Sequence, residues 1–116
     1  MSNGLRLQVN FYKTESGNEP VREWLRSLPR AEKKIIGEDI KTVQFGWPLG
    51  MPLVRKIDTD LWEIRSKLDN RIARLLFTAQ RNVMVILHGF IKKSEKIPTN
   101  DLHLAKKRLS TVRSSL

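Results

Sequence analysis

The side chains with the most chemistry in this chain sit where stability alone would not put them. Arg65, Arg71 and Arg74 lie in or beside apolar runs, and Lys92-Lys93 close the most apolar run of all, residues 83–91, which also holds His88. An unpaired buried charge is costly. Either carboxylates neutralise these cations, or one face of the element opens into a site for a polyanion. A guanidinium fork matches two phosphate oxygens, so phosphate binding would explain Arg74 within its apolar strand; a structural pair with Glu63 accounts for it equally well. Histidine is the side chain best suited to proton transfer near neutrality, yet a lone histidine in an apolar strand is more often a hydrogen-bonded core residue. His103 reads as merely exposed. No His/Asp/Glu group has metal-ligand spacing, and there is neither a glycine-rich phosphate loop nor a nucleophile elbow. Neither a metal nor a small-molecule cofactor is expected.

These residues need a sheet to position them. Residues 61–68, 71–79 and 83–91 read as three consecutive strands, joined at Asp69-Asn70, a pair that tolerates positive φ, and at Arg81-Asn82. In the first strand Trp62, Ile64 and Leu68 point toward helices, while Glu63, Arg65 and Lys67 point the other way. That second face is polar and mostly cationic, which predicts an exposed sheet face rather than a second core. The near-continuous apolar run 83–91 predicts an interior strand covered on both faces.

The flanking segments supply the rest. Residues 5–14 alternate as a half-buried strand near a sheet edge. Asn18 is placed to cap a helix with Pro20 in its first turn, carrying Val21, Trp24, Leu25 and Leu28 on one face. Pro29 opens a second helix, striped by Ile36, Ile40 and Val43 and ending near Gly46 as a left-handed cap. Residues 53–57 form a short strand in which Arg55 and Lys56 add charge near the site, and Asp58-Thr59-Asp60 turns the chain. After a basic loop at 94–98, Thr99 or Asn100 caps a last helix with Asp101 in its first turn. Leu102, Ala105, Leu109 and Val112 form its apolar stripe. The order β-α-α-β-β-β-β-α is α+β in class: a lone strand and a helical hairpin packed on an antiparallel-rich sheet, with a basic C-terminal helix.

The 116 residues predict one domain, 1–116. There are no cysteines, hence no disulfide framework or thiolate metal site, and a reducing cytoplasm is the expected setting. No stretch has the apolar core of a signal peptide or the length to span a bilayer, so no membrane is expected as partner. The formal charge of +10 is concentrated toward the C-terminus, where Lys92, Lys93, Lys96, Lys106, Lys107, Arg108 and Arg113 face only Glu95 and Asp101. Such a balance argues for an acidic partner such as nucleic acid or a ribosome.

The series Leu61-Trp-Glu-Ile-Arg65, Ala73-Arg-Leu-Leu-Phe77, Leu87-His-Gly-Phe-Ile-Lys-Lys93, Lys96-Ile-Pro98 and Leu104-Ala-Lys-Lys-Arg108 resembles the RelE/HigB-type toxins of the RelE/ParE toxin-antitoxin superfamily. The likeness is to the branch first catalogued as phage-derived proteins, and it covers nearly the whole chain. It implies a compact RelE-like fold and a cognate helix-turn-helix antitoxin as partner. The activity implied is that of an mRNA endonuclease working on the ribosome. A gyrase-targeting branch shares the fold without that activity, so a gyrase inhibitor is the rival reading and an RNA-binding module without activity a third. By motif position the catalytic residues carried over are Arg65, Arg74, Lys92 and Lys93, with His88 a further candidate from its own chemistry. Arg71, Lys67, Lys96, Lys106, Lys107, Arg108 and Arg113 are the expected RNA and ribosome contacts. Some ribonuclease branches place a histidine or tyrosine near the C-terminus. Here the chain ends Arg113-Ser-Ser-Leu116, which leaves the general acid and base unassigned.

Overall fold

The computed structural model of the chain describes residues 7–115; Leu5, expected in the first strand, lies outside them. The elements are β1 (Gln8–Phe11), α1 (Pro20–Arg26), α2 (Arg30–Gly46), β2 (Val54–Asp58), β3 (Leu61–Lys67), β4 (Ile72–Gln80), β5 (Val83–Ile91) and α3 (Thr99–Ser115). This is the expected α+β order. The strands form one mixed sheet, β1-β5-β4-β3-β2. β2 to β5 pair antiparallel, and β1 joins β5 in parallel at one edge, with Gln8 opposite Val83 and Phe11 opposite Ile86. Among the described residues no helix is long and apolar enough to cross a membrane.

Two cores follow from the two faces. On one, Val21, Ile36 and Val43 of the helical hairpin pack against Ile64, Leu75, Phe77, Met84 and Ile86. Trp47 sits edge-on to Trp62, with ring centroids 5.0 Å apart, and ties the Pro/Gly loop after α2 to the same core. On the other, Leu61, Leu76, Val85 and Leu87 are covered by Ala105 and Leu109 of α3. β5 therefore feeds both cores, as its apolar run predicts. The second core corrects the expectation that the Glu63 face is simply exposed. An apolar stripe on α3 must be buried against something, and Leu61 and Leu76 lie on that face too, so the helix covers one end of it.

A β-bulge sets the phase of β5. Leu76 lies opposite His88 but its neighbour Phe77 lies opposite Ile86, so Leu87 is the extra residue. Strict alternation from Val85 and Leu87 would have pointed His88 at the helical hairpin. The bulge brings it instead to the α3 side and turns Gly89 toward α1. Trp24 lies directly on Gly89: a Cβ there would come 2.5 Å from the ring.

Several local signals resolved differently. Positive φ occurs at Arg81 (51°) and Asn82 (68°), as a primed two-residue hairpin turn requires, and at Asp60 (56°), but not at Asp69-Asn70. α1 starts at Pro20 without a side-chain cap; Glu19 holds the cap position and its carboxylate goes to Arg22 at 2.5 Å, so Asn18 caps nothing. Gly46 is the last residue of α2, not a left-handed cap. Trp47 leaves the helix extended (φ −58°, ψ 138°), because the ring of Pro48 excludes helical backbone from the residue before it. Leu102 N–H bonds the Pro98 carbonyl, so the first turn of α3 begins before either expected cap, Thr99 or Asn100.

Candidate functional site

The strand register brings the basic residues together in three rows on the α3 side of the sheet. Arg55 lies opposite Glu63, and Glu63 opposite Leu76, which faces His88. In the next row on that face Arg65 lies opposite Arg74 and Arg74 opposite Phe90. In the last, Lys67 lies opposite Ile72, whose carbonyl accepts from Lys92 N–H. Arg65, Arg74, Lys92 and His88 thus share one face of the sheet, with Arg74 buried beneath it and His88 against the start of α3. Lys93 follows the end of the strand and is exposed.

Arg74 and Glu63 are both fully buried, and Arg74 Nε donates to Glu63 Oε2. Its terminal nitrogens donate to the carbonyls of Ser94 (3.1 Å) and Glu95 (3.2 Å). Every nitrogen of this guanidinium is committed to the protein. Of the two expectations for Arg74, the structural pair is the one present; an enclosed guanidinium is not a phosphate ligand. What it does is hold the 94–95 loop over the sheet and keep Glu63 in place. Arg55 lies 3.4 Å from the other oxygen of Glu63, which has no hydrogen-bond partner among the described residues.

Arg65 is the opposite case. It is half-buried, and its side chain makes no hydrogen bond or ion pair with any described residue; only its backbone N–H is engaged, by the Leu53 carbonyl at 2.8 Å. Directly across from it stands another arginine, a like-charge pairing that destabilises unless neutralised. Glu63 pairs with Arg74 and Arg55 but not with Arg65, so the Arg65 guanidinium has no ion pair of its own, Glu95 feeling its charge only at a distance.

The remaining candidates divide between those that turn inward and those that stay free. Lys92 Nζ pairs with Glu95 at 2.9 Å, and that hydrogen bond, with the Lys92 charge and lesser help from Arg65 and Arg74, holds the Glu95 carboxyl below its ordinary range. His88 Nε2 is 2.6 Å from Asp101 Oδ1 at the start of α3, and its ring stacks on Phe90. This pairing could not be read from two residues thirteen apart; the bulge that aims His88 is its cause. Arg108, expected on RNA, points into the protein. It donates to the Leu87 carbonyl at 2.8 Å, satisfying the bulge, and sits over the Tyr12 ring; burial lowers its pKa. Arg71 is a bidentate partner of Glu32, at 2.6 and 2.9 Å. Lys106 pairs with Asp58 (2.8 Å) and Arg113 with Asp60 (3.0 Å). Lys67, Lys93, Lys96 and Lys107 are exposed and have no such partner among the described residues.

Beside Arg65 the sheet edge opens. β2 begins only at Val54, so the end of β3 is uncovered there, leaving a cleft of about 470 Å³ between α2 and β3. Among the described residues no group of three or more His, Cys, Asp or Glu is arranged to hold a metal ion.

The family described as Phage derived protein Gp49-like (DUF891) has a sequence model that matches residues 23–110. That match takes in the end of α1, all of α2, β2 to β5 and most of α3. No curated protein matches the chain.

Proposed function

The chain belongs to the Gp49-like family of phage-derived proteins, and on that premise we propose that it is the toxin of a toxin-antitoxin pair, an endoribonuclease that needs no metal and cuts mRNA on the ribosome. Its partner is a cognate helix-turn-helix antitoxin. The reading is supported by the motif resemblance to RelE/HigB-type toxins. Above all it rests on Arg65, a half-buried guanidinium without an ion pair among the described residues, set on a cationic sheet face.

RNA cleavage of this kind begins with loss of the 2′-OH proton and attack of that oxygen on the adjacent phosphorus. The P–O5′ bond then breaks and the 5′-oxygen takes up a proton. Arg65 stabilises the extra negative charge of the phosphorane; preorganised donors of this sort are usually the largest single contribution to catalysis. Arg74 does not touch the phosphate. It is a positioning residue, fixing Glu63 and the 94–95 loop so that the face stays open beside Arg65. Lys92 and His88 are the groups on this face able to exchange protons. Asp101 orients the imidazole through Nε2 and leaves Nδ1 for the transfer. Phe90, stacked on His88, closes the row.

The test is brief induction of the chain in growing cells, followed by primer extension on abundant messages. Growth arrest with ribosome-phased cuts is the expected result. Arrest with intact message and DNA damage would replace the nuclease with a gyrase inhibitor. Neither arrest nor cuts would leave a passive RNA-binding module and overturn the toxin reading.

A further inference from the structure

The cleft beside Arg65 has a composition that phosphate binding does not explain. Its walls are Ile35 of α2, Met51, Pro52 and Leu53 of the loop before β2, and Ile72 of β4. Arg65 and Lys67 form its basic side, and Asp39 of α2 contributes a carboxylate. At about 470 Å³ it is within the range of small-ligand sites and roomy enough for one planar heterocycle. In a chain of net charge +10, an acid in such a place is normally matched to a cation. Asp39 has no ion pair among the described residues. Instead the buried Ser66 hydroxyl donates to Asp39 Oδ2 at 2.5 Å, which orients the carboxylate and leaves Oδ1 as an acceptor.

We propose that this cleft is a nucleobase subsite, taking the base next to the phosphate held by Arg65 and reading it through Asp39. This inference rests on the endoribonuclease reading above and extends it to the substrate's sequence. An apolar slot accepts the flat faces of any base, so it supplies affinity without choice. Choice comes from the edge. A carboxylate only accepts, so it selects a base that presents N–H groups. Guanine offers two adjacent donors, N1–H and the N2 amino group, on its Watson–Crick edge; cytosine and adenine offer an amino group beside an acceptor that Asp39 would repel. Single-stranded RNA exposes these edges, as a stacked duplex does not. Because Arg65 lines the cleft, base and phosphate are held by contiguous groups, and the occupant is a guanosine nucleotide adjoining the cut.

The experiment has two arms. In the first, the purified protein is titrated with GMP, AMP, CMP and UMP, followed by NMR or calorimetry. GMP should bind best, on the order of tenfold over AMP. Asp39→Asn retains an acceptor for Ser66 but turns a donor toward the base, and should remove the preference without lowering the melting temperature. Met51→Ala, at the exposed lip, should weaken all four nucleotides alike and keep their ranking. In the second arm, cut sites are mapped for wild type and Asp39→Asn: guanine should be enriched beside wild-type cuts and not beside those of the variant. Nucleotides that bind alike or not at all, an Asp39→Asn ranking unchanged from wild type, or affinities untouched by Met51→Ala would overturn the subsite. The two readings fail separately. A guanine preference that depends on Asp39, in a protein that cuts no RNA, leaves the subsite and removes the nuclease; phased cuts with no flanking preference do the reverse.

Discussion

Glu63 and Arg74 meet on the diagonal between β3 and β4, with Arg74 opposite Arg65 and Glu63 opposite Leu76, and neither side chain reaches solvent. One anion thus serves the buried arginine of an arginine-arginine row. The partner it does not serve, Arg65, is the one that faces the open side of the sheet.

The first expected outcome concerns that pair. Glu63→Gln leaves Arg74 buried without a counter-charge and should cost on the order of 3–5 kcal/mol in urea denaturation. Replacing both, as Glu63→Leu with Arg74→Met, should cost much less than the sum of the two single changes. Strict additivity would mean the two side chains are uncoupled.

Arg65 should behave in the opposite way. Arg65→Ala removes no internal bond, so its melting temperature should stay close to wild type, within about 0.5 kcal/mol of stability. Its cleavage rate should fall about a hundredfold, with loss of growth arrest. Lys67→Ala, at the basic side of the same cleft, should leave the melting temperature unchanged and lower the cleavage rate far less than Arg65→Ala does. A fully toxic Arg65→Ala would move the phosphate site to Arg55 and Lys92.

The basic surface should divide by partnership. Lys96 and Lys107 are exposed without internal anions, whereas Lys106 and Arg113 are tied to Asp58 and Asp60. Reversing Lys96 and Lys107 to Glu should weaken ribosome binding and flatten its salt dependence by roughly one in slope for each phosphate no longer neutralised. Lys106→Gln with Arg113→Gln should change the slope less and the melting temperature more. The reverse ranking, from a salt titration of ribosome pelleting, would place the docking surface on α3's paired side.

Acid should loosen that tie of α3 to the β2–β3 turn. The Asp58 carboxyl is held below its ordinary range, first by its hydrogen bond to Lys106 and then by the Thr59 N–H at 2.7 Å. A carboxyl depressed in the folded state stabilises above its unfolded value, about 4, and the gain is lost as pH falls through the folded value. Asp58→Asn should therefore melt slightly lower than wild type at pH 7, with the gap closing in melts taken at successively lower pH below about 4. A constant gap would assign the effect to hydrogen bonding rather than charge.

Much of this architecture is legible in the chain itself, because periodicity and turn chemistry act locally. The alternation around Trp62 and Ile64, the near-continuous apolar run of β5, the Pro29 start of α2 and the stripe of Leu102, Ala105 and Leu109 each follow from one segment's own pattern. The concentration of cations near Arg65 and Lys92 is likewise plain from the residues. What the residues could not settle is which cations are spent internally, since that depends on partners far apart in sequence. Glu63 choosing Arg74 over Arg65 is a matter of diagonal geometry between strands. His88 meeting Asp101 depends on one extra residue in β5. Asp39, by its sequence an ordinary acid on a helix surface, becomes part of a cleft only because β2 starts too late to cover the end of β3. Charge, hydropathy and spacing are properties of a segment, whereas the direction of a guanidinium and the depth of a cleft belong to the packing between segments, which exists only once the sheet has paired.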